Sequence, residues 1–551
     1  MGVDLMTLNR GHLIVALALT CLSLLTTPHL DSVQALPLFY ATNLNPVYWI
    51  SVAFLTLLIL KSKGTHASLY ACLLFLIVYW TPNLMFQHLC FPEMYGRLSS
   101  GLLASRLGRL EMTGMYAVRP ALFLEGAILL SITGIDPESL GKLYEALLMP
   151  IIAIYLLMIS RKVKGEEWHL APLLFASTFF LNELYFNNQS YAIPIYLVTL
   201  WCLTRVNEGK TCVSSLIMFF IAFLSLVITH EGNPLVLLLQ MLITLIFTTI
   251  LMRGNSSWSP RLLMSLLMIW LSWHAIYQYP WSNAIQVTKK IGENVYRSLL
   301  VEHGVYPRIR QQFTEVYGYI ITVRIINSFL MFFSGVALIM LTFVESRCKL
   351  ERQELFVISQ FLASSIITAI LSHGGYIIGR GLLYSSLSWS VLVPVLLSGK
   401  TMKVTHAKVL KRFIAGFSIS FILLIPILKY SPIPLTYTNS KALAQLTFVF
   451  TNSPYGLYFG ITDYNVPHIP CTLGRTIIEF DNFYDAYVYH IKNDKIGIII
   501  DGHILMRDAF FTYEGIPYKV LVGRLQESLI REYNKVYSTD KNYCTFVPRS
   551  R

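Results

Sequence analysis

Long apolar stretches recur along the chain from residue 13 to residue 428, separated by short polar breaks. Each stretch is roughly 16 to 24 residues long, and a helix needs about 20 mostly apolar residues to cross the hydrocarbon of a bilayer. The stretches are continuous rather than alternating, which favours helices over a membrane barrel. The pattern predicts an all-α polytopic membrane protein with about 13 transmembrane helices.

The pattern changes after residue 429. Short β-rich runs, such as residues 496–500, alternate there with turn residues, and residues 525–536 are predicted to form a helix. The sequence therefore divides into a transmembrane domain, residues 1–429, and a small soluble domain of α/β or α+β class, residues 430–551.

The first apolar stretch, residues 13–25, follows Arg10 and resembles the hydrophobic part of a signal peptide. The residues after it include Pro28 and His29 and do not form the small-residue cleavage site that a signal peptide needs. We expect this stretch to be retained as the first transmembrane helix.

Composition and charge agree with a membrane protein. Hydrophobic residues make up 55% of the chain and charged residues 13%, whereas soluble domains carry about 25% charged residues. The net charge of +13 lies largely in short loops between apolar stretches, as expected for cytoplasmic loops, and this placement argues against a nucleic-acid partner. The loops predict a multi-pass protein of the cell membrane with a cytoplasmic N-terminus and an extracytoplasmic C-terminal domain.

One segment leaves two topologies open. Residues 121–135 are apolar but short, and they carry Glu125. If they cross the membrane, the basic cluster at Arg161, Lys162 and Lys164 lies outside and every later loop is inverted. If they lie on the outer surface or re-enter, this cluster is cytoplasmic and the later loops follow the positive-inside rule. We favour the second topology.

Two segments predicted to lie outside, residues 82–120 and 281–317, are too long to be simple turns. Both place charges among apolar and aromatic residues, so we expect amphipathic helices lying on the membrane face. Loops above about 12–15 residues are usually functional or disordered, and the aromatic content here argues against disorder.

The eight cysteines include no CxxC pair and no metal-ligand spacing. Cys471 and Cys544 both fall in the C-terminal domain, where a disulfide and two free thiols are equally compatible with the sequence. No cofactor is predicted, and no pattern indicates a metal.

Polar residues, which are costly in a membrane and therefore suggest function, gather at three places on the predicted outer side. The candidate site residues of the three clusters are Glu93, Arg97 and Arg119; Gln189, His230 and Glu231; and Tyr376 and Arg380. A carboxylate, a histidine and arginines that converge there would supply a general base and a phosphate clamp.

Each candidate also has a plainer interpretation. Glu93 fits a solvated loop acid, His230 fits a helix end that meets water, and Arg380 fits an arginine snorkelling to the interface. Residues 188–190 match an N-glycosylation sequon, but a turn this tight and this close to the bilayer disfavours modification. None of these signals is specific alone.

The order of the segments resembles the GT-C class of membrane glycosyltransferases, particularly its archaeal members. The resemblance extends over nearly the whole chain, although each motif is short. The residues that carry it are Glu93 with Tyr95-Gly96-Arg97, Tyr116 with Pro120-Ala121-Leu122-Phe123-Leu124, Thr133-Gly134-Ile135, Phe186-Asn187-Asn188-Gln189-Ser190, Thr229-His230-Glu231-Gly232-Asn233-Pro234, Gly375 with Gly379-Arg380, and Asn534-Lys535-Val536-Tyr537.

The resemblance implies transfer of a sugar from a polyprenyl-phosphate donor to a glycan, lipid or protein acceptor on the outer face. It implies that Glu93 is the base on the acceptor hydroxyl, Arg380 a ligand of the lipid phosphate and His230 a supporting one. Two positions depart from the family pattern, because Glu93 stands where aspartate is usual and Asn233 where threonine is usual. The Trp-Trp-Asp motif of oligosaccharyltransferases is absent, which argues against en bloc glycan transfer to asparagine.

Two alternatives stay open beside this enzyme. A transporter or flippase of a lipid-linked glycan would favour charged or broken helices at mid-membrane and inverted repeats, whereas the charges here cluster at the outer edge. An inactive GT-C-like scaffold whose tail binds surface polymers predicts that the tail is essential and Glu93 dispensable.

Overall fold

The structure of the protein is a computed structural model. It describes residues 2–30, 39–62, 64–86, 119–163, 167–178, 187–207, 213–230, 232–251, 260–276, 315–346, 351–372, 378–397 and 404–428. It also describes scattered positions between residues 89 and 108, Lys289, and the strand residues given below.

Helices form the bulk of the described chain. The first half contains α1 (Gly2–Leu25), α2 (Phe39–Thr42), α3 (Pro46–Lys61), α4 (Gly64–Met85), α5 (Ala121–Thr133), α6 (Pro137–Lys162), a 3-10 turn (Trp168–Leu170) and α7 (Ala171–Ala176). The second half contains α8 (Asn188–Asn207), α9 (Val213–Thr229), α10 (Gly232–Leu251), α11 (Pro260–Ala275), α12 (Glu315–Ser346), α13 (Arg352–Ser372), α14 (Ile378–Leu396) and α15 (Val404–Leu428).

The described helices confirm a helical membrane protein. Five segments are long and apolar enough to cross a membrane: His66–Met85, Pro137–Lys162, Gly232–Ile250, Thr322–Glu345 and Lys408–Leu428. Large apolar side chains remain exposed on the bundle, among them Ile221 and Phe329, as expected for positions that face lipid. The total of about 13 transmembrane helices stays a prediction.

Contacts between helix ends show which ends lie together. Only five residues, 208–212, connect α8 to α9, so α9 runs back beside α8. Helix α10 begins directly after α9 ends. Helices α8 and α10 therefore begin at the same end of the bundle. The Tyr384 hydroxyl, in the second turn of α14, donates to Asn233 Oδ1 in the first turn of α10. We call the end at which α8, α10 and α14 begin the site end.

Basic residues gather at the opposite end. The Arg161 guanidinium, at the end of α6, lies 5.7 Å from the ring centre of Trp168. Lys411 Nζ, near the start of α15, lies 2.7 Å from Glu167 Oε1, and Arg205 is in the last turn of α8. These basic residues lie near helix ends, and the membrane side that each end of the bundle faces stays a prediction.

Helix α5 does not cross the bundle. The Asn188 side chain, at the start of α8, donates to the carbonyl of Arg119 just before α5, which places the start of α5 at the site end. Its end is followed after three residues by α6, which runs from the site end to the basic end. At 13 residues, α5 is also only about 20 Å long. The structure thus favours the surface or re-entrant topology.

Local sequence explains the break between α5 and α6. Gly134 ends α5 with a left-handed φ of 65°, which glycine adopts without steric cost. Asp136 then caps α6 by accepting the Ser139 N–H at 2.9 Å, and Pro137 takes the first helical position.

Strands follow the helical region in the tail: β2 (Tyr458–Ile461), β3 (Ile477–Glu479), β4 (Gly497–Ile500), β5 (Phe511–Tyr513), β6 (Ile516–Pro517), β7 (Tyr533–Ser538) and β8 (Cys544–Pro548). Five of them form a sheet in the order β3-β2-β4-β8-β7, in which β2 pairs in parallel with β3 and β4. The strand predicted at residues 496–500 is confirmed as β4, whereas a helix up to residue 536 is wrong, since 533–536 belong to β7. A separate domain over residues 430–551 stays a prediction.

The tail also pairs with the long segment before α12. A short strand in that segment, β1 (Gln311–Phe313), is antiparallel to β5, with Gln311 opposite Tyr513. The expectation of amphipathic helix over residues 281–317 is therefore wrong at 311–313. Arg324 Nε, near the start of α12, donates to the Leu428 carbonyl at 2.6 Å, so α12 begins where α15 ends and the tail starts.

Candidate active site at the start of α8

One buried amide joins two predicted site residues at the start of α8. Asn188 is 3% exposed. Its Oδ1 accepts a hydrogen bond from Arg97 Nη1 at 3.1 Å, and its Nδ2 donates to the Arg119 carbonyl at 3.3 Å. The structure thus brings the two segments that bear these arginines to the same helix terminus.

The first turn of α8 is stabilised by its own side chains. The Ser190 N–H donates to Asn187 Oδ1 at 2.7 Å, and the Asn187 N–H donates to Ser190 Oγ at 3.3 Å. This reciprocal pattern satisfies N–H groups that a helix start leaves unpaired. The positive end of the α8 dipole therefore lies beside the two half-buried arginines, an arrangement that suits an anion.

A carboxyl group lies beside the same turn. Glu125, on α5, accepts a hydrogen bond from the Tyr191 side chain of α8. Tyr144 of α6 lies near Ser190 and interacts electrostatically with Glu125. Among the described residues, Glu125 Oε2 is buried and has no hydrogen-bond partner. Helices α5, α6 and α8 thus meet around a carboxyl oxygen that can still accept a proton or a hydrogen bond.

Burial controls the protonation of this carboxyl. Desolvation raises the pKa of Glu125 to about 7 from its ordinary value of 4.5, and the Tyr191 hydrogen bond opposes the rise. A carboxyl with a pKa near neutrality is suited to gain and lose a proton during a reaction.

The pKa of Glu125 predicts how stability depends on pH. Because the folded pKa lies above the ordinary value, the unfolded chain ionises first, and the wild-type protein loses stability as the pH rises from about 4.5 to 7. Glu125→Gln removes this ionisation. Between about pH 5 and about pH 8, the unfolding temperature in detergent should fall further for the wild type than for the variant. Equal falls would mean that Glu125 is not buried as described.

One residue of the second cluster, His230, lies between α9 and α10. His230 is 4% exposed, and its Nδ1 accepts the Gly232 N–H at 3.0 Å. Asn233 follows in the first turn of α10 and accepts the Tyr384 hydroxyl. This bond brings the His230 turn to the helix whose first turn carries Arg380.

The remaining predicted residues are placed less completely. Glu93, Glu231 and Tyr376 lie outside the described residues, and of Arg380 only the helical backbone is described. Gln189 is 4% exposed in the first turn of α8, and its Oε1 has no hydrogen-bond partner among the described residues.

The structure adds residues that sequence reasoning did not select. Glu125 carried a weak signal, because it is a lone acid in an apolar stretch. Tyr144 carried none that separates it from ordinary helix residues, whereas Asn188 lies in the sequon and Tyr191 directly follows it. The sequon at residues 188–190 is also explained, since a buried Asn188 with both amide atoms bonded is not available for glycosylation.

Three comparisons relate the chain to known proteins. No family model matches it, and no curated protein matches it. The chain is similar to the solved structure of the Archaeoglobus fulgidus oligosaccharyltransferase, tethered by a disulfide bond to an acceptor peptide containing the NVT sequon. The identity is 12% and the TM-score 0.45, over 91% of this chain and 74% of that one. At this TM-score the likeness carries no argument about function.

Proposed function

We propose that the protein is a membrane glycosyltransferase that moves a sugar from a polyprenyl-phosphate donor to an acceptor on the extracytoplasmic face. The observation that carries this proposal is the convergence of Arg97, the Arg119 segment and the start of α8 around Asn188, beside the buried carboxyl of Glu125. Cationic and proton-accepting groups are thus adjacent at one end of an apolar bundle.

The cationic half of the site suits a lipid phosphate. Guanidinium groups bind phosphate oxygens strongly and in fixed geometry, and a helix N-terminus adds N–H donors and a positive dipole. Arg97, Arg119 and Arg380 are the proposed phosphate ligands, with Gln189, His230 and Tyr376 in support. The polyprenyl chain would stay in the bilayer, beside the exposed apolar surface of the bundle.

The proton-accepting half suits an acceptor hydroxyl. In the proposed step the acceptor O–H bond breaks and its proton passes to a carboxylate. The acceptor oxygen bonds to the anomeric carbon, and the bond from that carbon to the phosphate oxygen breaks, so that the phosphate leaves with the electron pair. Glu93 is the proposed base from the family resemblance, and Glu125 is a second candidate carboxyl. Glu231 is proposed to bind the substrate.

The domain arrangement is part of this proposal. Residues 1–429 would form the transmembrane domain and residues 430–551 an extracytoplasmic domain at the site end. The pairing of β1 with β5 supports this placement, because it joins the tail to the segment that precedes α12.

The proposal predicts that the purified protein in liposomes consumes a polyprenyl-phosphate sugar when a membrane extract supplies acceptors. Arg380→Ala should reduce sugar incorporation by about 100-fold, because the leaving phosphate loses a cationic ligand. Unchanged incorporation in that variant would remove Arg380 from the site. A wild-type protein that transfers no sugar from any tested polyprenyl-phosphate donor would contradict the function itself.

A further inference from the structure

The turn that carries His230 and the helix that carries Arg380 are joined by one buried hydrogen bond. Tyr384 donates its hydroxyl to Asn233 Oδ1, and the two residues are 3% and 0% exposed. Tyr384 lies four residues after Arg380 on α14, about one helical turn. Asn233 lies three residues after His230. The bond therefore links two predicted site segments that are far apart in sequence.

The start of α14 is also packed closely against α13. A Cβ added to Gly381 would lie 2.8 Å from the Thr368 Cα of α13, so the two backbones are in direct contact. Thr368 Oγ1 and Ser385 Oγ are 2.7 Å apart and share a hydrogen bond. Helix α14 is thus fixed against α13, and the Tyr384 bond transmits that position to α10.

A second tyrosine makes the same kind of bond deeper in the bundle. Tyr196 donates its hydroxyl to Gln240 Oε1 at 2.6 Å, and Gln240 Nε2 donates to Ser364 Oγ at 2.7 Å. The Tyr196 and Tyr384 rings are in edge contact, with centroids 5.4 Å apart. Both hydroxyls meet a buried amide, but only the bond of Tyr384 reaches a turn at the site end.

We propose that Tyr384 is a positioning residue that, through Asn233, holds the His230 turn in register with the first turn of α14, so that a phosphate is bound by both. This inference rests on the proposed function. It assigns no contact between Tyr384 and substrate, because its hydroxyl is already engaged and buried.

The matched variants are Tyr384→Phe and Tyr196→Phe. Each removes one buried hydroxyl and leaves an amide oxygen without its donor, so both should lower the unfolding temperature by similar amounts. Only Tyr384→Phe should weaken binding of polyprenyl monophosphate, by about fivefold to tenfold, because it alone frees the turn at the site end. With a sugar donor the same variant should raise KM more than it lowers kcat.

The outcomes separate the two proposals. If the wild type binds polyprenyl monophosphate and the two variants bind it equally, Tyr384 has only a structural role and the inference is wrong. If the wild type does not bind it, the proposed function fails and the inference fails with it.

Should Tyr384→Phe not fold, the double variant Tyr384→Phe with Asn233→Leu removes both polar partners at once. Binding of the lipid phosphate by that double variant as tight as in the wild type would also overturn the inference.

Discussion

Replacing Glu93 with glutamine is expected to lower sugar transfer by about 10²–10⁴-fold, the usual contribution of a general base. Glutamine keeps the size and hydrogen-bonding shape of glutamate but cannot take the proton of an acceptor hydroxyl at neutral pH. Binding of polyprenyl monophosphate should stay close to that of the wild type, because the variant leaves the cationic ligands in place. Incorporation of labelled sugar and binding of the lipid phosphate measure the two effects separately.

The matched control for this variant is Glu111→Gln, which removes an acid from the same long segment, residues 82–120. It should leave transfer unchanged. Glu125→Gln completes the comparison, because Glu125 is the carboxyl that the structure places beside α8. Full transfer in Glu93→Gln together with a large loss in Glu125→Gln would reassign the base. Full transfer in both would leave the proposed reaction without a proton acceptor.

Arg97→Ala is the second variant with a large expected effect. It removes a guanidinium from the helix start and takes the donor away from Asn188 Oδ1, which lies 3.1 Å from Arg97 Nη1. We expect kcat/KM for the donor to fall by about 100-fold to 1,000-fold, as when a preorganised charge or hydrogen-bond donor is lost from a transition state. Arg97→Lys should recover only part of this loss, because an ammonium keeps the charge but not the planar fork.

The control for Arg97→Ala is Arg261→Ala. Arg261 is an exposed arginine in the first turn of α11 at the basic end of the bundle, so its loss changes the net charge equally without touching the site. Equal donor kinetics in the two variants would mean that Arg97 acts only through the overall charge of the protein.

The apolar pattern predicted much of the architecture. Apolar stretches of spanning length mark helices such as α6 and α10. The break after α5 could also be predicted, since Gly134, Asp136 and Pro137 are the residues that end one helix and start another. These features depend on local sequence, which is why they could be derived from it.

Contacts between distant segments could not be derived in this way. Asn188 meets Arg97 across 91 positions of sequence, and Tyr384 meets Asn233 across 151. The local pattern marks Arg97, Asn188 and Asn233 as members of motifs, but it does not indicate which distant residue each one contacts. The error in the tail has a different cause, because residues 533–535 have a helix-like pattern but pair with β8, which begins at residue 544. Pairing with the next strand along the chain overrides a local preference of this kind.

The central claim is that Glu93, His230 and Arg380 face one lipid-phosphate site on one side of the membrane. Single cysteines at residues 93 and 380, in a chain without its native cysteines, can be labelled in sealed vesicles with a membrane-impermeant maleimide. We expect both cysteines to be labelled from the same side, and each to be labelled more slowly when polyprenyl monophosphate is added. Labelling of residues 93 and 380 from opposite sides would contradict it.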